Sequence, residues 1–261
     1  MITDHDVAQY FRQPPRRIPI SIIDDKQWLR TRNGRQIFRG MSNNEWKDVH
    51  PYGCERHLEV YTKHKAIAKY CFDCWKVLIA PRNVVELFKL LMIFEKIVLP
   101  IDNTRKCCVE LRNKVSGTYK GIIFCRGLEE ASEVLKIVQM AVSDDISPQV
   151  SVAIKRGCSE YEDIYPEFAK IELSHVIQYN QDWQRYEEAV DNDIVLKYGE
   201  TDIHNINYDT TSRYNPREIY AMQFWLRYAA TIGDASYIKI IGGTIRPIPN
   251  LIRPPFKNTA L

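Results

Sequence analysis

WKVLIA at residues 75–80, VVELFKLLMIFEK from Val84 and KCCVELR from Lys106 decide how this chain folds. The first is a short apolar run rich in branched side chains, the composition of a buried strand. Pro81 ends it, and Asn83 is placed to cap the next segment. From Val84, apolar residues recur at 84, 87, 88, 91, 94 and 98, a helical stripe that Pro100 stops. KCCVELR then alternates, with Cys107, Val109 and Leu111 on one face and Lys106, Cys108, Glu110 and Arg112 on the other, which predicts a half-exposed strand.

Working outward, residues 113–117 supply a turn and TYKGIIFCR, 118–126, is the return strand. A second helical stripe comes next at Ala131, Val134, Leu135, Val138 and Ala141. Pro148 precedes a last strand, 150–154. The order β-α-β-β-α-β predicts an α+β fold of the ferredoxin-like, split βαβ kind, with a four-stranded antiparallel sheet and two helices on one face.

The flanks are less regular. Residues 1–50 read as a basic arm with short structure, carrying Pro14 and Pro15 and partly folded onto the core, and residues 51–158 as the α/β core with a Cys/His insertion before its first strand. A short helix is expected over 63–69. Residues 159–241 read as a mainly helical extension, with helices over 182–190 and 215–230, the latter closed by Gly233. Residues 242–261 form a proline-rich tail with Pro247, Pro249, Pro254 and Pro255.

Length and composition agree with a sizeable core: 261 residues, 45% hydrophobic and 26% charged. The balance of 36 basic and 33 acidic residues, net +3, is far from that of a dedicated nucleic-acid binder. The apolar stretch from Val84 to Leu99 is broken by Glu86, Lys89, Glu95 and Lys96, so no membrane span is expected. With no export signal at residues 1–20, the expected location is the cytoplasm.

Seven cysteines, an odd number, read in a reducing compartment as thiols or ligands rather than as a disulfide framework. Cys54-x2-His57 stands thirteen residues before Cys71-x2-Cys74. Two close pairs joined by a short loop are how a chain surrounds a tetrahedral ion, and thiolate with imidazole suits zinc. In the predicted fold the first and last strands are antiparallel neighbours. The start of one, near Cys74, then lies beside the end of the other, near Cys158. Cys158 therefore competes with His57 as fourth ligand, and a four-cysteine set suits an iron–sulfur cluster as well as zinc. The alternative is that Cys71 and Cys74 are small core residues at a strand start. Cys107 and Cys125 read as sheet-core residues.

Two further signals bear on function. Lys120-Gly121-Ile122-Ile123-Phe124 has the basic residue, the glycine and one of the alternating aromatics that base-stacking strands carry. With Lys106, Arg112 and Arg126 it outlines a nucleic-acid face, against which stands the plainer expectation that Phe124 packs beneath the C-terminal helices. Cys158, after Gly157, has the character of a turn and ligand, and as a nucleophile it would need a base from His57, His175 or His204. The sequence thus points first to a metal-stabilised binding module for nucleic acid or a protein partner. A metal- or thiol-dependent enzyme and a structural assembly subunit are the other two readings.

Overall fold

The computed structural model describes residues 1–12, 36–39, 53–112, 115–171, 177–198 and 216–245. Within them the chain is α+β, built on one five-stranded antiparallel sheet with seven helices. The strands are β1 (Gln36–Arg39), β2 (Trp75–Ala80), β3 (Arg105–Val109), β4 (Tyr119–Cys125) and β5 (Ser151–Arg156), in the order β1-β3-β4-β2-β5. The helices are α1 (Asp4–Arg12), α2 (Gly53–His64), α3 (Val84–Lys96), α4 (Leu128–Asp145), α5 (Gln184–Tyr198), α6 (Pro216–Ile232) and the single turn α7 (Ile238–Ile241).

The alternation seen in the sequence sets the two faces of the sheet. Val77, Ile79, Cys107, Val109, Tyr119, Ile123 and Cys125 are buried on one face, under α3 and α4. Gly121 lets α3 sit this close, since a Cβ there would stand 2.4 Å from Leu90 Cδ2 and 3.1 Å from Phe94 Cζ. Its role is helix packing, which the motif reading of residues 120–124 did not anticipate. A third layer begins where Trp225 of α6 meets Phe88 of α3, ring centroids 5.5 Å apart.

Two expectations need correction. The sheet has five strands rather than four, because β1, inside the stretch read as an arm, pairs with β3 from Gln36↔Cys108 to Arg39↔Arg105. The helix before the first strand is α2, Gly53–His64, and lies earlier than 63–69. Within the arm Asp4–Arg12 is helical, a piece of the short structure expected there. The tail beyond residue 245 lies outside the described residues.

A second, smaller core lies at the end of the sheet where β2 begins and β5 ends. It consists of Tyr61, Ile67, Ala68, Cys71, Tyr161 and Phe168, with Phe72, Cys158, Tyr165, Ile177 and Trp183 packed against it. Its scaffold is α2 and short 3-10 turns at Lys69–Phe72, Ser159–Asp163 and Pro166–Ala169. Buried Arg56 of α2 ties it to α5 through Glu187 and through Asp191, whose Oδ1 and Oδ2 each accept at 2.7 Å.

Candidate metal centre

β2 and β5 run antiparallel from Trp75↔Arg156 to Ala80↔Ser151, and beyond the ladder Gly157 N donates to Cys74 O at 2.7 Å. Cys74, where the chain enters the sheet, and Cys158, where it leaves, are therefore neighbours, as the strand order predicts. Gly157 makes the corner: its φ is +58°, and an added Cβ would stand 2.1 Å from Phe168 Cε1.

The other residues arrive from two more segments. Cys54 and His57 lie about one turn apart on α2 and so share a side of the helix. Cys71 sits in the 3-10 turn at 69–72, with its N–H on Ala68 O at 2.9 Å. Cys54 is exposed, Cys71 buried, and Cys74 and Cys158 half-buried, all as free thiols.

Polar side chains gather on two of these sulfurs. Cys71 Sγ lies 3.2 Å from His57 Nδ1 and 3.0 Å from Tyr161 Oη. Lys76 Nζ donates to Cys158 Sγ at 3.2 Å and to Gly157 O at 2.7 Å. Lys76 is only 7% exposed, and no carboxylate among the described residues pairs with it. A buried ammonium is costly unless its donors are met, and those of Lys76 go to the Gly157 carbonyl and the Cys158 sulfur.

The four thiols also act on one another. Burial pushes the Cys71 thiol well up, and the charges of Cys158, Cys74 and Cys54 add to that against the Tyr161 hydrogen bond. Burial likewise takes Cys74 to about 12, Lys76 opposing it while Cys158 and Cys54 reinforce it. Burial alone would lower Lys76, but Cys158, Cys74 and Cys54 overcome this and raise it. Such thiols stay protonated at neutral pH unless a cation claims them. Among the described residues, no group of three or more His, Cys, Asp or Glu side chains stands ready-made for a metal ion. The four thiols share a corner without forming a closed cage.

The other sequence candidates lie on the sheet face turned away from α3 and α4. Lys106, Lys120 and Phe124 share that face with Lys76 and Lys155, since Lys76 is paired with both Phe124 and Lys155 and Lys106 with both Phe38 and Ile122. Lys76 Nζ and Lys106 Nζ stand 5.6 and 5.7 Å from the Phe124 ring centroid. Phe124 is thus on the opposite side of the sheet from the layer that α6 joins. Arg112 lies beyond β3, bonded to Glu110 at 2.8 Å and to Glu160. Lys155 pairs with Glu162, so the acidic turn at 159–163 folds over part of the basic face. Arg126 comes just after β4 and is exposed, its N–H on Glu130 at 3.2 Å.

The sequence reading missed Lys76 and Tyr161. Lys76 falls on the polar phase of β2, a weak signal for a buried cation. Tyr161 stands three residues after Cys158, one 3-10 turn on, a spacing that returns its side chain to the corner. His175 and His204, the other bases considered for Cys158, lie outside the described residues, and His57 Nδ1 is on Cys71. No protein-family model, curated protein or solved structure matches the chain.

Proposed function

We propose that this chain is a binding module stabilised by a zinc ion held at the corner of Cys54, Cys71 and Cys74, with a fourth ligand from His57 or Cys158. The supporting observation is that Gly157 N on Cys74 O holds Cys158 beside Cys74 where the chain enters and leaves the sheet, with His57 and Tyr161 at the Cys71 sulfur and Lys76 at the Cys158 sulfur. The smaller core supports the reading. Its buried residues are few and its helical turns short, and a small core of that kind gains most from a metal staple. Strands β2 to β5 with α3 and α4, in their observed order, support a ferredoxin-like split βαβ unit to which β1 is added. The face with Lys120, Lys155 and Phe124 is the surface this reading assigns to a nucleic-acid strand, with Glu110, Glu160 and Glu162 as its internal competitors and with Lys106, on the same face, buried against Gln36.

The test is elemental analysis of the full chain made without metal supplementation, beside Cys74→Ser. About one zinc per chain is expected, and the variant is expected to lose it and melt lower, because a structural ion contributes folding free energy directly. Metal-free protein with unchanged melting in the variant overturns the metal centre, and iron with sulfide overturns zinc. Affinity for mixed single-stranded RNA is expected to fall steeply with salt; salt-independent binding or none removes the nucleic-acid assignment.

A further inference from the structure

We infer that Lys76 and Cys158 are the two ends of an oxidation-dependent crosslink in which a single oxygen atom bridges Nζ and Sγ. The crosslink goes beyond the metal-centre reading and uses no metal. Cys158 is one of two candidates for the fourth ligand there, and the lysine contact stands by itself.

Lys76 Nζ lies 3.2 Å from Cys158 Sγ, between residues 82 positions apart in the chain. An oxygen atom placed between nitrogen and sulfur needs only a slight approach from that distance. A direct nitrogen–sulfur bond needs the pair to close much further. The backbone on both sides is fixed. Lys76 sits inside β2, paired with Phe124 on one side and Lys155 on the other. Gly157 N on Cys74 O, at 2.7 Å, pins the residue just before Cys158.

The amine is also confined. Lys76 is only 7% exposed, its Nζ donates to Gly157 O at 2.7 Å and it stands 5.6 Å from the centre of the Phe124 ring. Two reactants held in contact react as one molecule, without the entropy cost of meeting. Cys158 is a half-buried free thiol, open to a small oxidant from one side while the amine waits on the other. Cys71 differs on both counts. It is buried, and its sulfur meets His57 and Tyr161, neither of which carries an amine.

Hydrogen peroxide as the oxidant balances the reaction. One equivalent turns the Cys158 thiol into a sulfenic acid, S–H becoming S–O–H, and leaves as one water. The sulfenic oxygen then bonds to Nζ. It gives up its hydrogen, the neutral amine gives up one of its own, and a second peroxide takes both and becomes two waters. An ammonium at the outset releases one further proton to solvent. Four electrons pass from the pair to the two peroxides. Four equivalents of a thiol reductant return them, restoring amine and thiol with one water and two disulfides of the reductant.

The test is peroxide treatment of the full chain, with and without a chelator so that a bound metal ion cannot hide the sulfur, read by mass and tryptic mapping. The parent is expected to gain about 14 Da, one oxygen less two hydrogens. It is expected to resist cleavage after Lys76 and to yield a peptide joining Lys76 to Cys158, and dithiothreitol is expected to reverse all three. Lys76→Arg is expected to carry about 16 or 32 Da on Cys158 instead, the unlinked oxyacids. Cys158→Ser is expected to give no joined peptide. A parent whose Cys158 ends as an unlinked oxyacid, pairs with another cysteine or stays unmodified in both conditions overturns the crosslink. A joined peptide lighter by about 2 Da overturns the oxygen bridge. The parent map decides even where a variant fails to fold.

Discussion

Gly157 shows how much one residue decides. It turns the chain out of β5, presents its N–H to Cys74, accepts Lys76 at its carbonyl and leaves room for the Phe168 ring. Gly157→Ala combines a left-handed backbone unfavourable to any Cβ with displacement of a buried aromatic ring. Stability is expected to fall by about 2–4 kcal/mol, measured by urea unfolding. Gly243→Ala, where an added Cβ meets nothing within 4 Å, is expected to change little. At this scale the sequence shows the thiols and the imidazole well: the Cys and His spacings are visible, and the turn at Gly157 is readable. It hides Lys76 and Tyr161, because a lysine in an alternating strand and a tyrosine in an acidic stretch look like ordinary surface until the fold brings sulfur beside them.

The elements that lie close together in sequence are the ones the sequence announces. β2, α3, β3, β4 and α4 obey hydrophobic period and punctuation. Asn83 caps α3 as its position suggests, Oδ1 accepting from Glu86 N at 3.0 Å. The same helix end is also held from far away: Asp234 accepts from Val84 N and from Tyr119 Oη, both at 2.7 Å. Nothing local to either segment signals that contact. Asp234→Ala strands a helix-start N–H and a buried phenol, and a loss of about 2–3 kcal/mol is expected in thermal or urea unfolding. β1 is illegible for the same reason: its four residues are too short for a pattern, and its partner β3 lies far along the chain. The start of α2 is hidden differently, since its cysteine and histidine invite reading as ligands and its buried positions, Arg56 and His57, are polar. Those side chains are buried because Glu187, Asp191 and Cys71 receive them.

The whole molecule has two hydrophobic cores of unequal size, and the candidate centre sits where they meet. Local stability tracks buried apolar contact, so the smaller core is the weaker. In Cys74→Ser, or after chelation, hydrogen exchange is expected to accelerate first in residues 54–72 and 158–169, while β2, β4 and α3 keep their protection. Uniform acceleration across both cores would show a single cooperative unit instead. Sequence reading reached the larger core and the position of the corner, because the predicted strand order fixes both. It did not reach the smaller core, which is assembled from aromatics on short turns that carry no period.

The bond between Cys74 and Gly157 has one more implication. Everything from Trp75 to Arg156 leaves and returns through a single gate, so β2 to β5 with α3 and α4 are, along the chain, a cassette that opens and closes beside the smaller core, and β1, α1 and α6 join it from either side. A break near Cys74 or Gly157 cuts the junction of that cassette with the smaller core, whereas a break at the far ends of the strands leaves the junction whole.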